Sequence, residues 1–136
     1  MPAVDNCEPQ VVRAMEKDGW QVVRRHYLIR LGKGRGAVYA DLRLQKDEAQ
    51  ILIVEVKSFE RRGSQMDDLY QAIGQYMVYQ KALALAGQRE PLYLALPETA
   101  FRRLRVHDAI QATIQDAKIK LILVDISREE VVEWVH

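Results

Sequence analysis

The chain has 136 residues, the size of one domain, and its 49% hydrophobic and 29% charged residues belong to a globular protein, not a disordered one. Twenty Lys and Arg against nineteen Asp and Glu leave a formal charge of +1, which excludes a strongly basic nucleic-acid wrapper but not a local basic patch. A single cysteine, Cys7, excludes an internal disulfide and a cysteine-built zinc cage, and no apolar run approaches the roughly 18 residues of a membrane span. The opening MPAVDNCEPQ lacks a signal-peptide core, so the expectation is a cytoplasmic protein with no membrane partner.

In chain order, Val11, Val12 and Met15 at helical spacing predict a helix from about Glu8 to Asp18, stopped at Gly19. Gln21 to Arg30 mixes β-branched and aromatic residues and reads as one strand or a bent pair. GKGRG, from Gly32 to Gly36, is a basic turn without the ending or helix entry of a phosphate-binding loop. Val38, Ala40, Leu42 and Leu44 alternate with Tyr39, Asp41 and Arg43, a period of two, and Gln45 to Ala49 forms a charged tip. Ile51 to Val56 is a nearly continuous apolar run, which predicts a central strand covered on both faces.

The longest helix is predicted over Met66 to Ala86, with Leu69, Ile73, Tyr76 and Leu83 as its buried stripe and Gly87 as its end. A short strand at Leu92 to Leu96 follows, then a helical stretch from Glu98 to Gln115 broken near Val106 and His107. Two further strands are expected at Ile119 to Val124 and Val131 to Val135. The sum is an α/β or α+β fold, a single domain over residues 1–136 with helices flanking one mixed central sheet.

Chemistry concentrates where two of these strands meet. Ile51, Ile53, Glu55 and Lys57 share one strand face, as do Tyr39, Asp41 and Arg43 on the neighbour. If Leu44 pairs with Gln50, Asp41 lies opposite Ile53 and diagonal to Glu55; one pleat further, Asp41 lies opposite Glu55 itself. In either register Mg²⁺ or Mn²⁺ could sit between the two carboxylates and complete its shell with water and a phosphate. Lys57 would then orient or deprotonate the attacking water, or stabilise charge developing on the phosphate. The alternative for the same residues is a structural ion pair at the sheet end. Gln71, Gln75 and Tyr79 recur every four residues on the long helix, which suits either an amide held over Glu55 or a solvated flank. Lys33, Arg35, Arg61 and Arg62, together with the arginines near 24 and 103, would line a nucleic-acid path or form solvated faces. His26, His107 and His136 have no ligand spacing, and Cys7 has no evident His partner.

Nearly end to end, the sequence resembles the XisH family of excision controlling factors, associated mainly with cyanobacteria. The segments that carry the likeness are MPAVD, KDGW (Lys17 to Trp20), YADL (Tyr39 to Leu42), IVEVKSF (Ile53 to Phe59), DLYQAIGQYMVYQKAL (Asp67 to Leu83) and PLYLALPE (Pro91 to Glu98). The family is similar in turn to the PD-(D/E)XK nuclease-like superfamily, whose motif maps onto Asp41, Glu55 and Lys57. Gln75 and Tyr79 resemble the Gln-x-x-x-Tyr feature of its RecB-like branch. The chain departs from the pattern at Ala40, where a proline is usual, at Arg43–Leu44, and at Glu8, where relatives often carry His.

The resemblance implies a restriction-endonuclease-like fold and Mg²⁺-dependent phosphodiester hydrolysis on DNA. Asp41, Glu55 and Glu8 would hold the metal, Lys57 would activate water, Gln75 would steady the site, and Tyr79 would join the nucleic-acid path. It also implies partners: DNA, a site-specific recombinase and an XisI-type companion, with a homodimer as a further arrangement. The competing reading is a catalytically silent nuclease-fold regulator that binds DNA or the companion protein. A plain structural or interaction module is the third.

Overall fold

The computed structural model describes residues 7–34, 36–59 and 65–136. Ten elements follow in the order α1 (Glu8–Lys17), β1 (Gln21–Arg30), β2 (Ala37–Lys46), β3 (Gln50–Val56), α2 (Gln65–Leu85), β4 (Leu92–Pro97), α3 (Glu98–Leu104), α4 (Asp108–Asp116), β5 (Leu121–Asp125) and β6 (Glu130–Val135). The strands lie side by side in sequence order in one sheet. β1, β2 and β3 are antiparallel, β3, β4 and β5 are parallel, and β6 returns antiparallel on β5. Parallel neighbours need a crossover, supplied by α2 between β3 and β4 and by α3 and α4 between β4 and β5.

Both crossovers cover the same face. Leu69, Ala72, Tyr76, Tyr79, Ala82 and Leu83 of α2 pack with Phe101, Leu104, Ile110 and Ile114 on Ile53, Leu94, Leu96, Leu121 and Leu123. α1 covers the opposite face through Val11, Val12, Ala14 and Met15, on Leu42, Leu44, Leu52, Val54, Val56, Ala95, Ile122 and Val124. β3 is thus buried on both faces, which is why Ile51 to Val56 carries almost no alternation. No described helix is long and apolar enough to cross a membrane.

The helix ends follow from local chemistry. Gly19 takes φ 93° after α1 and Gly87 takes φ 76° after α2, left-handed positions that suit glycine. Each places the next amide on a helix carbonyl, Trp20 N–H to Met15 O and Gln88 N–H to Leu83 O, both at 3.0 Å. The expected break near Val106 and His107 is present as the gap between α3 and α4.

Four local expectations are corrected. β2 runs on to Lys46, so the tip is only Asp47 to Ala49. Val38 and Ala40 pack in the core under α2 while Leu42 and Leu44 pack under α1, so the facing of β2 changes across Asp41. The buried stripe of α2 takes in Ala72, Tyr79 and Ala82, and Ile73 is half-buried. An interval of four residues advances 40° around a helix, so Gln71, Gln75 and Tyr79 spiral from the exposed side to the core instead of sharing one flank.

Candidate functional site

The ladder between β2 and β3 runs from Lys46 opposite Gln50 to Leu42 opposite Val54. One step further sets Asp41 opposite Glu55, the second of the two registers open to the sequence. Side-chain bonds replace the ladder there. The Asp41 backbone N–H donates to Glu55 Oε1 at 3.1 Å, and the Val56 N–H donates to Asp41 Oδ2 at 2.7 Å. Each carboxylate therefore takes a backbone N–H near the other. On its far side β3 stays paired, with Lys57 N–H donating to Ala95 O at 2.9 Å. The acid pair occupies the point where one flank of a central strand lets go while the other holds.

Glu55 is 7% exposed and faces α2. Gln75 Nε2 donates to Glu55 Oε2 at 2.6 Å and to the Tyr79 hydroxyl at 2.8 Å. Lys57 Nζ stands 3.7 Å from the same Oε2. Asp41, Glu55, Lys57, Gln75 and Tyr79 thus form one connected group drawn from two strands and one helix. Burial pushes the Glu55 carboxyl up to about 8, reinforced by the like charge of Asp41 and by a hydrogen bond between the two carboxyl groups, against the pull of Lys57. At neutral pH the Glu55 carboxyl accordingly favours its protonated form. The Tyr79 hydroxyl is also raised, by burial first and then by the Glu55 and Asp41 charges, with the Gln75 bond opposing.

Of the other expected site residues, some are placed by the structure and some fall outside the described residues. Glu8 opens α1 and accepts from Arg25 on β1 at 3.3 Å; Arg25 pairs in register with Leu42, the neighbour of Asp41. Among the described residues no three His, Cys, Asp or Glu are grouped to hold a metal ion. Tyr79 is 7% exposed and hydrogen-bonded, which makes it a support for Gln75 with no ring face open to a nucleobase. Lys33 is exposed in the β1–β2 turn, closed by Leu31 N–H on Gly36 O at 3.0 Å. With about 3.3 Å per strand residue, that turn stands some 16 Å along β2 from Asp41. Arg35, Arg61 and Arg62 lie outside the described residues. Arg102 and Arg105 are engaged by Glu98 and Glu133.

Period-two alternation placed Asp41 and Glu55 on one face, but it missed the roles of their backbones. The N–H groups of Asp41 and Val56 become donors to the acids because the ladder ends, and no side-chain pattern signals that. Phe59 was missed too. It takes φ 56° just after Lys57 and buries its ring beside α2, so a strained residue fixes the direction in which the chain leaves the site.

The donors available to a cation are hard carboxylate oxygens, without thiolate or imidazole. Mg²⁺ commonly binds through one or two carboxylates plus water and phosphate, so Asp41 and Glu55 fit that ion, and its charge would displace the proton on Glu55.

The XisH protein family model matches residues 1–132. An XisH family protein from Nostoc punctiforme is 30% identical, with a TM-score of 0.85 over 96% of this chain and 100% of its own. An fdxN element excision controlling factor protein from Anabaena variabilis is 27% identical, with a TM-score of 0.86 over 96% of this chain and 99% of its own. No curated protein matches the chain. With a family model spanning almost the whole sequence and two solved relatives aligned along their full length, the chain belongs to the XisH family.

Proposed function

We propose that this protein controls excision of a DNA element and does so through a restriction-endonuclease-like site that hydrolyses phosphodiesters with Mg²⁺ or Mn²⁺. The observation that carries the reading is the interlocked pair Asp41 and Glu55, forced together in a desolvated position with Lys57 and Gln75 on the same carboxylate. A fold that needed only an ion pair would not place a second acid against the first. The excision role itself follows the description of the Anabaena variabilis relative.

When bound, the cation supplies Lewis acidity at the phosphate and a water of lowered pKa. The chain's own part is preorganisation. Gln75, held by Tyr79, fixes the plane of the Glu55 carboxylate, and the backbone N–H of Val56 fixes Asp41. Lys57 places an ammonium where it orients the attacking water or steadies charge growing on a phosphate oxygen. Its partners would be DNA, a site-specific recombinase and an XisI-type companion. A net charge of +1 offers little attraction for a phosphate backbone, so DNA binding by the protein alone should be weak and salt-sensitive.

The test is nicking of supercoiled and branched DNA in Mn²⁺, with and without the companion. Wild type should cut, and Lys57→Ala should lose about a hundredfold or more in rate while still binding Mn²⁺. A second reading, a silent regulator with the same fold, draws support from one observation: among the described residues the acid pair gains no third metal-type ligand. If wild type and Lys57→Ala are equally inert in every combination yet both bind DNA or the companion, that reading replaces the first.

A further inference from the structure

α2 is apolar on two sides. Its inward side fills the core against β1 and β4, while its outward side carries Tyr70, Met77, Val78 and Leu85, exposed by 61, 52, 54 and 74%. Helices that are apolar all round are normally covered all round. At the middle of the outward side stands Gly74, in a helix interior where only proline is a worse choice. A Cβ built there meets no atom within 4 Å, so the packing of this chain does not call for glycine.

The residues around Gly74 are arranged symmetrically. Tyr70 and Val78 lie four positions to either side, and Asp67 and Lys81 seven positions to either side. All four are exposed, as Gly74 is, so they lie on the outward side of the helix. An antiparallel copy of α2 crossing at Gly74 would therefore set Tyr70 on Val78 and Asp67 on Lys81, each contact occurring twice about the two-fold axis. The bare glycine lets the backbones approach at the crossing. We propose that this face is the interface of a homodimer of this chain, with Gly74 on the dyad. A second copy is the occupant because the antiparallel crossing sets apolar side chains on apolar ones and opposite charges on each other, with open space at Gly74 where the backbones meet. One helix face is smaller than the about 1,200 Å² at which stable interfaces begin, so the dimer is reversible and concentration-dependent. Gln75 and Tyr79 belong to the same helix, so dimerisation would hold two acid pairs on opposite sides of the paired helices and double the surface offered to DNA. The inference stands whether or not the site hydrolyses DNA.

Sedimentation velocity of the full chain over a wide concentration range tests it. Wild type should pass from monomer to dimer at high-micromolar concentration. Gly74→Ala should raise the thermal midpoint of dilute protein by about 3 °C, through helix propensity, and yet weaken association several-fold. Asp67→Lys and Lys81→Glu should each weaken self-association, and an equimolar mixture should restore it, because the mixed dimer regains both opposite-charge contacts. A monomer at every concentration overturns the proposal, as does dimerisation unaffected by Gly74→Ala. Failure of the mixture to associate better than either variant alone also overturns it, as would a different protein occupying this face while wild type stays monomeric.

Discussion

Replacing Asp41 by Asn asks whether the acid pair costs the fold stability. The Glu55 carboxyl titrates near about 8 in the folded protein against an ordinary value of 4.5. Between those values the folded state holds a proton that the unfolded state has released, so stability falls as pH rises through the window and levels off above it. A shift of that size corresponds to about 5 kcal/mol across the window. Burial is the largest cause and survives the substitution. What Asp41→Asn removes is a like charge at cross-strand distance, about 2 kcal/mol for unit charges about 7 Å apart at an effective dielectric of about 20. The introduced amide keeps an oxygen for the Val56 N–H and gains a donor for Glu55, so no polar group is orphaned. The variant should therefore gain about 2 kcal/mol over wild type at pH 9, or some 6 °C in midpoint, and little or nothing at pH 5. Thermal unfolding in EDTA across that range measures it. A variant less stable at both pH values, or a gain that does not grow with pH, would refute the reasoning.

Three further outcomes follow from the same geometry. Divalent binding must expel the Glu55 proton, so Mn²⁺ affinity by calorimetry should rise about tenfold per pH unit up to about 8 and flatten above, with a proton released below that point; pH-independent binding would place the ion elsewhere. Gln75→Leu removes the donor that serves both Glu55 and Tyr79 and should cost about 2 kcal/mol above pH 8, where the bond is charge-assisted, and less below, as read by urea unfolding. Tyr76, buried under α2, donates to Leu92 O at 2.9 Å and accepts from Lys120 N–H at 3.1 Å. Tyr76→Phe strands both groups and should cost about 2 kcal/mol at every pH.

Legibility in the sequence tracked how local the determining physics was. All ten elements can be read from periodicity and glycine stops, because Gly19 and Gly87 act through their own dihedrals and Ile51 to Val56 through its own composition. The shared face of Asp41 and Glu55 is equally local, being a count of two. Register is not local. It depends on a three-residue tip, Asp47 to Ala49, with Asp47 at φ 58°, and a tip two residues longer or shorter would keep the faces and move Asp41 by a pleat. The change of facing across Asp41 is less legible still, since it arises where the ladder ends and carboxylates take over the backbone donors. The inward placement of Tyr79 is not legible from its interval, because four residues drift by 40° and by the third member of the series the drift carries a polar tip into the core.

The same donor geometry predicts that the two acids are not interchangeable, although they lie side by side. Among the described residues Asp41 accepts from a single backbone donor, Val56 N–H. Glu55 accepts on both oxygens, from Asp41 N–H on Oε1 and from Gln75 on Oε2, with the Lys57 ammonium beside Oε2. A primary amide has only one oxygen to offer. In Glu55→Gln that oxygen can serve Gln75 and Lys57, or it can serve Asp41 N–H, but the amide nitrogen must then face a donor. One buried N–H is left without a partner, worth about 1–3 kcal/mol. Relief of the like charge, which makes Asp41→Asn stabilising at high pH, is thus cancelled in Glu55→Gln. We expect Glu55→Gln to be less stable than wild type near pH 6, where the native Glu55 carboxyl is already protonated, and no more than level with it at pH 9. Both variants should lose divalent binding. Paired unfolding curves at the two pH values decide the matter: equal gains for the two amides would mean that charge alone governs the pair, and the hydrogen-bond assignment to Glu55 would have to be abandoned.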